Sequence, residues 1–184
     1  MVPDILEAVR NVVQSFTDAQ PKSPLHVGEV MACWEYVALM SESQIHSEAG
    51  INSTSDPELK QALHEAVKLT KSQKEQLVSF MQTEGIPVPP MSESKPVSNP
   101  SDVPLGVKLT DDEIANSLVM KIVLAIETCA DGAAQAIRND VGLIWAEFLQ
   151  EHMVYGTNLK TLMKKRGWLK IPPLYYAPGS TSNH

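Results

Sequence analysis

The sequence has few cysteines, no long apolar run and no excess of basic residues. Its 184 residues include two cysteines and carry a formal net charge of -7, with a pI near 5.2. An acidic chain repels phosphate backbones and anionic lipids, which argues against nucleic acid or a membrane as its main partner. No stretch approaches the roughly 18 uncharged apolar residues that a membrane span needs. The first residues carry an early acid and no apolar run, so we expect no signal peptide and a cytoplasmic location.

The two cysteines, Cys33 and Cys129, lie inside apolar runs of two different predicted helices. A buried thiol without a partner behaves as a small apolar side chain, and intracellular proteins keep such thiols reduced. We therefore interpret both cysteines as reduced core residues rather than as a disulfide.

Sequence signatures of catalysis are also missing. The chain contains no glycine-rich phosphate loop, no nucleophile elbow and no Cys-x-x-Cys motif. The adjacent His64 and Glu65 would point about 100° apart on a helix, so they cannot act jointly on one substrate. The sequence thus shows no apparatus for acyl or phosphoryl transfer.

Helical periodicity dominates the chain, and no segment alternates with the period of two that is typical of strands. Two long helices are expected to begin where a capping residue precedes proline, at Ser23 and Asp56, and to cover about residues 23–49 and 56–83. A capping box between Thr110 and Glu113 begins the third, which ends near residue 138. The fourth covers residues 139–167, up to a glycine stop.

A short amphipathic helix is predicted ahead of these four, over residues 4–16. Its apolar stripe consists of Ile5, Val9, Val12, Val13 and Phe16. Four helices already supply a bundle core, so this stripe needs the bundle surface or a second subunit, and we predict a homodimer. The chain then divides into an N-terminal helix and linker (residues 1–22), a bundle (residues 23–176) and a disordered tail (residues 177–184).

The linker between the second and third long helices, residues 86–109, is rich in proline. Its prolines are Pro87, Pro89, Pro90, Pro96, Pro100 and Pro104. Proline excludes a helix and favours an extended path of roughly 3 Å per residue. The second helix is on the order of 40 Å long, so the linker can run back along it. Hairpins 23–85 and 110–167 can then form an all-α, ferritin-like up-down-down-up four-helix bundle in which the second and third helices are parallel.

The two halves of the chain resemble each other. Gly85 and Gly167, which stop the second and fourth helices, correspond at a sequence offset of 82. At an offset of 84, the first and third helices pair Glu29 with Glu113 and Trp34 with Leu118. Such a repeat can mean two equivalent sites or a duplicated packing unit. We favour the packing unit.

Polar residues interrupt the apolar seams of the second and fourth helices at the same height. They are Thr70 and Gln73 on the second helix, and His152 and Tyr155 on the fourth. Counting through the turns places Glu127 level with His152, and Glu35 or Tyr36 level with Thr70. Glu127 carries the one charge between positions 122 and 130, so a place inside the bundle would require a partner.

This polar layer leaves two interpretations open. Ferritin-like di-metal sites need Glu-x-x-His on two helices. Here Glu65 and Glu147 are followed three residues later by a lysine and a glutamine, which argues against a di-iron centre. The remaining alternatives are one iron, manganese or zinc ion bound by Glu35, Glu127 and His152, and a hydrogen-bonded layer that fixes helix register. We favour the layer, without a cofactor.

Several short motifs lie at the predicted helix ends and turns. They are PLHVGEVM at residues 24–31 with Trp34, EGIP at residues 84–87, RND at residues 138–140, and MKKRGW at residues 163–168 followed by two prolines. Together they resemble an uncharacterised family of ferritin-like bundles from endospore-forming bacteria that is related to spore coat protein F. The resemblance covers about residues 23–176.

The resemblance implies a structural or sporulation-associated role, with deposition in the spore coat and other coat proteins as partners. Our leading hypothesis is therefore a non-catalytic structural or interaction protein. The alternative is a ferritin-like metal-binding or redox protein with, at most, a single-ion site in the bundle core.

Overall fold

The computed structural model describes residues 22–175, and the regular elements in this range are helices. Four long helices are present: α1 (Val27–Ser53), α2 (Pro57–Thr83), α3 (Asp111–Gln135) and α4 (Asn139–Arg166), with one 3₁₀ turn at Pro100–Asp102. None of the helices within residues 22–175 has the length and apolar character of a membrane span. The predicted N-terminal helix and the predicted disordered tail lie outside the described residues.

Helix α1 begins at Val27, later than the sequence predicts, because His26 rather than Ser23 is its capping residue. Nδ1 of His26 accepts the backbone N–H groups of Gly28 and Glu29 at 3.0 and 3.3 Å. The Glu29 carboxylate accepts the backbone N–H of His26 at 3.1 Å, which completes a capping box. This reciprocal pair satisfies more of the free N–H groups at the helix start than a lone serine can.

The other helix ends follow the sequence signals more closely. Asp56 and Thr110 cap α2 and α3 as predicted. Helices α2 and α4 stop at Gly85 and Gly167, whose φ angles of 73° and 72° lie in the left-handed region that favours glycine. Helix α3 ends at Gln135, before the predicted position 138, because residue 136 is already extended.

Contacts at the helix ends establish the topology. Thr54, just after α1, donates a hydrogen bond to Asp111 at the start of α3 at 2.6 Å, so α1 and α3 are antiparallel. Lys165 near the end of α4 contacts Glu58 at the start of α2 at 2.8 Å, so α2 and α4 are antiparallel too. Because α1 and α2 form a hairpin, α2 and α3 are parallel, and the predicted up-down-down-up arrangement is confirmed.

The proline-rich crossover runs back along α1 in an extended path. The backbone N–H groups of Ser92, Lys95 and Ser98 donate to side chains of Ser41, Glu48 and Asn52 at 3.1, 2.7 and 2.9 Å. These contacts advance together along both segments, so the crossover is parallel to α1. Side chains of α1 thus satisfy the backbone of a segment that has no regular structure of its own.

The core consists of two apolar clusters, one toward each end of the bundle. Aromatic rings dominate the first: the Tyr36 ring lies edge-on to Trp145 at 5.1 Å and stacked on Phe148 at 5.6 Å between centroids. The second is mostly aliphatic and includes Leu63 and Ile114. Both cysteines are free and buried, which confirms the prediction that they are reduced core residues.

The internal repeat extends to α1 and α3, but at an offset of 82 rather than 84. The buried positions Cys33, Tyr36, Met40, Ser43, Ser47 and Gly50 of α1 match the buried positions Ala115, Leu118, Ile122, Ala125, Cys129 and Gly132 of α3. The predicted match of Trp34 with Leu118 is wrong, because Trp34 is 37% exposed and Leu118 is buried. The offset of 84 aligns the capping boxes alone, since α1 begins two residues earlier relative to the core.

Candidate functional site

A buried hydrogen-bonded layer joins all four helices through the side chain of Tyr36. The Tyr36 hydroxyl on α1 donates to Oε1 of Gln73 on α2 at 2.6 Å and lies 2.9 Å from Nε2 of His152 on α4. The Cys129 thiol on α3 donates to the same hydroxyl oxygen at 3.4 Å. Because each helix contributes one group, the layer fixes the relative height of the four helices.

The hydrogen bonds of Tyr36 also define the protonation state of His152. The single hydroxyl proton of Tyr36 goes to Gln73, so His152 donates to Tyr36 from Nε2 and its Nδ1 is unprotonated. This Nδ1 is buried and has no hydrogen-bond partner within the described part of the chain. Gln73 donates onward from Nε2 to a carboxylate oxygen of Glu151 at 2.7 Å, which links the layer to the half-buried rim of the bundle.

Burial shifts the titration of these groups away from neutral pH. It lowers the pKa of His152 to about 4 and raises the pKa of the Cys129 thiol to about 11. Burial, together with the neighbouring Cys129, also raises the pKa of Tyr36 well above its usual range. All three groups are therefore uncharged near pH 7. None of them has a pKa suited to general acid–base or nucleophilic chemistry at that pH.

The structure does not bring Glu35, Glu127 and His152 together, so the predicted single-ion site is corrected. Glu35 and Glu127 are exposed, and only His152 is buried. Counting residues through the turns gave the level of Glu127 along the bundle axis, but it did not show which face of α3 the residue occupies. Glu127 lies two positions from the buried Ala125 and Cys129, so its side chain faces outward. No three His, Cys, Asp or Glu side chains within residues 22–175 are grouped closely enough to hold a metal ion.

Of the two residues that the sequence placed level with Thr70, Tyr36 enters the layer and Glu35 does not. Thr70 and Tyr155 also stay out of it, because their hydroxyls donate to the backbone carbonyls of Ala66 and Ala62 at 2.9 and 2.8 Å. The repeat would relate Thr70 to His152 and Gln73 to Tyr155, so the layer is built once and not twice. This asymmetry favours a duplicated packing unit over two equivalent sites.

Sequence reasoning missed a second polar cluster, at the end of the bundle where α3 turns into α4. Arg138 is 4% exposed and donates to both carboxylate oxygens of Glu84 at 2.7 and 2.8 Å. It also donates to both oxygens of Asp140 at 3.0 and 2.7 Å, and Lys22 adds an ion pair to Asp140 at 2.6 Å. Hydrogen bonds from Arg138 hold the pKa of both carboxyl groups below their usual range.

Glu29 ties this cluster to the start of α1. Its side chain is buried, and one carboxylate oxygen accepts the backbone N–H groups of Ile137 and Arg138, each at 2.9 Å. The other oxygen belongs to the capping box of α1. The motifs around Glu29, Glu84 and Arg138, on which the family resemblance depends, therefore meet at one end of the bundle. Together with Asp140 these residues form a polar cluster, called the clasp below, that joins the two hairpins. The sequence offered the motifs as a signal, but not their contact.

The opposite end of the bundle has a matching ion pair of reversed polarity. Asp56 at the start of α2 pairs with Arg166 at the end of α4 at 2.9 Å. The repeat offset of 82 relates position 56 to position 138, and position 84 to position 166. It thus places Asp56 opposite Arg166 at one end and Arg138 opposite Glu84 at the other.

The parallel middle helices and the long crossover define a ferritin-like four-helix bundle. The structure is similar to a two-domain protein of Anabaena variabilis that contains DJ-1/ThiJ/PfpI-like and ferritin-like domains, with a TM-score of 0.60 and 17% identity over 83% of this chain and 41% of that one. It is also similar to a conserved hypothetical protein of Mycobacterium tuberculosis, with a TM-score of 0.60 and 12% identity over 75% and 99% of the two chains. At these identities the likeness concerns the fold alone.

The chain belongs to the DUF3231 family of proteins of unknown function, whose model matches residues 14–180. It is 28% identical over 152 residues to the uncharacterised protein YvdQ of Bacillus subtilis strain 168, across 83% of this chain and 89% of YvdQ. A crystal structure of a candidate spore coat protein from Bacillus halodurans C-125 is similar with a TM-score of 0.82 and 30% identity, over 84% of this chain and 97% of that one. The predicted resemblance to an uncharacterised, spore-coat-related family is confirmed.

Proposed function

We propose that the protein is a non-catalytic structural component of the endospore, deposited in the spore coat together with other coat proteins. The observation that supports this most directly is the likeness to the candidate spore coat protein of Bacillus halodurans, which extends over 84% of this chain at 30% identity. Likeness of that extent spans most of the bundle.

The chemistry of the buried groups supports a structural role. Tyr36 links all four helices by hydrogen bonds, and His152 stays neutral at physiological pH. The clasp at Arg138 and the ion pair of Arg166 join α4 to α2 at opposite ends of the bundle. These groups are engaged with each other, which suits a rigid building block better than a reaction centre.

Fractionated spores of the source organism test this proposal. The chain, tagged and expressed from its own promoter, should be enriched in the coat extract relative to the spore core and to the cytosol of vegetative cells. A cytosolic enzyme carrying the same tag is the matched control, because the tag alone must not enter the coat. Deletion of the gene should alter coat morphology or lysozyme resistance. Absence of the chain from spores, together with normal coats in the deletion strain, would contradict the proposal.

Metal analysis of untagged protein separates this role from the metal-binding alternative. We expect the same substoichiometric iron, manganese and zinc content in the unmodified protein and in the variants Glu127→Gln and His152→Gln. A content near one ion per chain that is lost in His152→Gln would favour the metal-binding role instead.

A further inference from the structure

An apolar groove of about 250 Å³ lies open between α3 and α4. Its lining includes Val119, Ile122, Val123, Ile126, Met153 and Gly156. Val123 and Met153 are 47% and 55% exposed, so this part of the bundle presents apolar surface to solvent. Lining of this kind, continued by further exposed apolar side chains on the same two helices, is typical of a binding surface.

The repeat shows what lies on the corresponding face of the first hairpin. There the crossover runs along α1, with its residues 91–99 exposed. Ser41 accepts the backbone N–H of Ser92 at 3.1 Å, and Gln44 donates to the Ser94 hydroxyl at 2.9 Å. Lys74 on α2 donates to the same Gln44 at 2.7 Å. An extended, proline-rich segment thus lies on this face, and polar side chains of α1 hold it there.

The groove of the second hairpin is an apolar version of the same surface. At the repeat offset of 82, Ser41, Gln44 and Lys74 correspond to Val123, Ile126 and Gly156. All three replacements remove a hydrogen-bonding side chain. An occupant of the second groove should therefore be extended like the crossover but apolar where the crossover is polar.

The segment that follows α4 has these properties. Both exits begin alike, because the backbone N–H groups of Ile86 and Trp168 bond the carbonyls of Met81 and Met163 at 2.8 and 2.9 Å. Residues 171–175, Ile-Pro-Pro-Leu-Tyr, then correspond to crossover residues 89–93. Leu174 takes the place of Ser92, whose backbone N–H bonds Ser41, so Leu174 would lie beside Val123 in the second hairpin. Positions 92 and 93, a serine and a glutamate in the crossover, are thus a leucine and a tyrosine after α4.

This C-terminal segment does not cover the groove of its own chain. Ile171, Leu174 and Tyr175 are 67%, 76% and 84% exposed. In the crossover, Val88 packs against the core and keeps the start of the segment close to the bundle. The matching residue is Lys170, which is exposed and pairs with Asp112 at 2.7 Å. A charged residue at this position directs the chain away from the core.

We propose that the groove between α3 and α4 binds residues 171–175 of a second copy of the chain. Within residues 22–175 each chain presents this open groove together with an uncovered segment, and reciprocal exchange across a twofold axis satisfies both in a closed dimer. The predicted homodimer would then depend on this surface rather than on the N-terminal stripe. Two five-residue segments bury less surface than a standard interface, so the dimer should dissociate in the micromolar range. The inference is independent of where the protein resides.

Sedimentation equilibrium of the full chain tests the exchange. In the tens-of-micromolar range the mass should be twice the 20.2 kDa of one chain. Leu174→Ser and Val123→Lys should each weaken the dimer at least tenfold, whereas Val97→Ser, a change at a 94% exposed valine of the crossover, is the control and should leave it unchanged. Unchanged helical circular dichroism and melting temperature show that each variant is folded.

Mixing the two variants distinguishes exchange from a face-to-face dimer. The Val123→Lys chain retains its segment and the Leu174→Ser chain retains its groove, so the mixture should form mixed dimers that neither variant forms alone. A monomer throughout the tens-of-micromolar range would overturn the proposal, as would a dimer that both variants leave intact. Loss of the dimer on removal of residues 1–21, with Leu174→Ser having no effect, would assign the groove to the N-terminal segment and overturn it as well.

Discussion

His152 illustrates the consequence of enclosing an ionisable residue in a helical core. Its ring is fully buried, donates from Nε2 to Tyr36 and has an Nδ1 without a hydrogen-bond partner among residues 22–175. A second proton would place a positive charge where no carboxylate from the described part of the chain bonds the ring. Burial therefore lowers the pKa of His152 to about 4, compared with roughly 6.5 in an unfolded chain.

This difference makes stability depend on pH in a defined direction. Between pH 6.5 and about 4 the unfolded chain binds a proton that the folded chain does not, so stability falls as the pH drops through this window. The expected slope approaches about 1.4 kcal/mol per pH unit, measured by urea unfolding at several pH values. Asp140 and Glu84, whose pKa values are lowered by Arg138, act in a lower range, below the usual carboxyl pKa of about 4.

His152→Gln should flatten this dependence, because glutamine can donate to Tyr36 without titrating. His46→Gln is the comparison: the pKa of His46 is also lowered, by burial and by Lys121, but this residue is half-buried and bonded to Ser117, so its removal should change the slope less. A slope that His46→Gln removes and His152→Gln leaves unchanged would show that the assignment is wrong.

At the scale of helices, the repeat places a glycine at a matching point of close approach in each hairpin. A Cβ built on Gly132 would lie 2.8 Å from the Trp145 ring, and one on Gly50 would lie 3.2 Å from Leu63. Positions 50 and 132 correspond at the repeat offset of 82, as do positions 63 and 145. The duplicated unit thus includes the glycine and the large residue that packs on it.

Gly132→Ala should destabilise the protein by about 1–3 kcal/mol, because the added methyl group must displace a buried tryptophan. Gly85→Ala is the matched comparison: no atom lies within 4 Å of its Cβ position, so its cost is that of the left-handed backbone, about 1–2 kcal/mol. Thermal unfolding with near-UV circular dichroism separates the two, since Gly132→Ala alone should perturb the tryptophan signal. An unperturbed signal would mean that the helices simply move apart.

The clasp predicts unequal effects of two matched arginines. Arg138→Ala leaves Glu84 and Asp140 without their main partner, and both acids are about a quarter exposed. We expect a loss of about 2–4 kcal/mol, near the lower end of the range for broken buried pairs. Arg166→Ala, at the matching position of the other end, should cost less because Arg166 is 28% exposed and Glu58 is 44% exposed. Urea unfolding gives both values, and an equal or larger loss for Arg166→Ala would contradict the special role of the clasp.

At the scale of the whole molecule, exposure of the core requires the two hairpins to separate. Cys33 and Cys129 are fully buried in the cluster that contains Tyr36 and Trp145. Burial raises the pKa of these thiols to about 12 and about 11. In the folded state both thiols are therefore protonated at neutral pH and inaccessible to reagents.

Thiol labelling should consequently report global unfolding. We expect both cysteines to react with a disulfide reagent at neutral pH far more slowly than a free thiol, and at one common rate. Arg138→Ala should raise that rate in proportion to its effect on stability, because labelling then follows the open population. Rapid reaction of one cysteine in the native protein would instead indicate local opening of its helix.

Much of the fold could be predicted because its signals are local. Proline after Asp56, the capping box at Thr110 and the glycines at positions 85 and 167 define helix ends by backbone chemistry within a few residues. The candidate site was less accessible. The height of His152 follows from residue counting, but the choice between Glu35 and Tyr36 depends on how far each helix is rotated about its axis.

The sequence by itself determined the four helices, the crossover and the duplication, since caps, proline content and apolar periodicity act over short separations. Only the tertiary structure decided which side chains share an interior. It turned Glu127 outward, brought Tyr36 to His152, and joined Glu29, Glu84 and Arg138 across more than fifty positions of sequence. Those contacts depend on helix rotation and on the packing of one hairpin against the other, which no local pattern specifies.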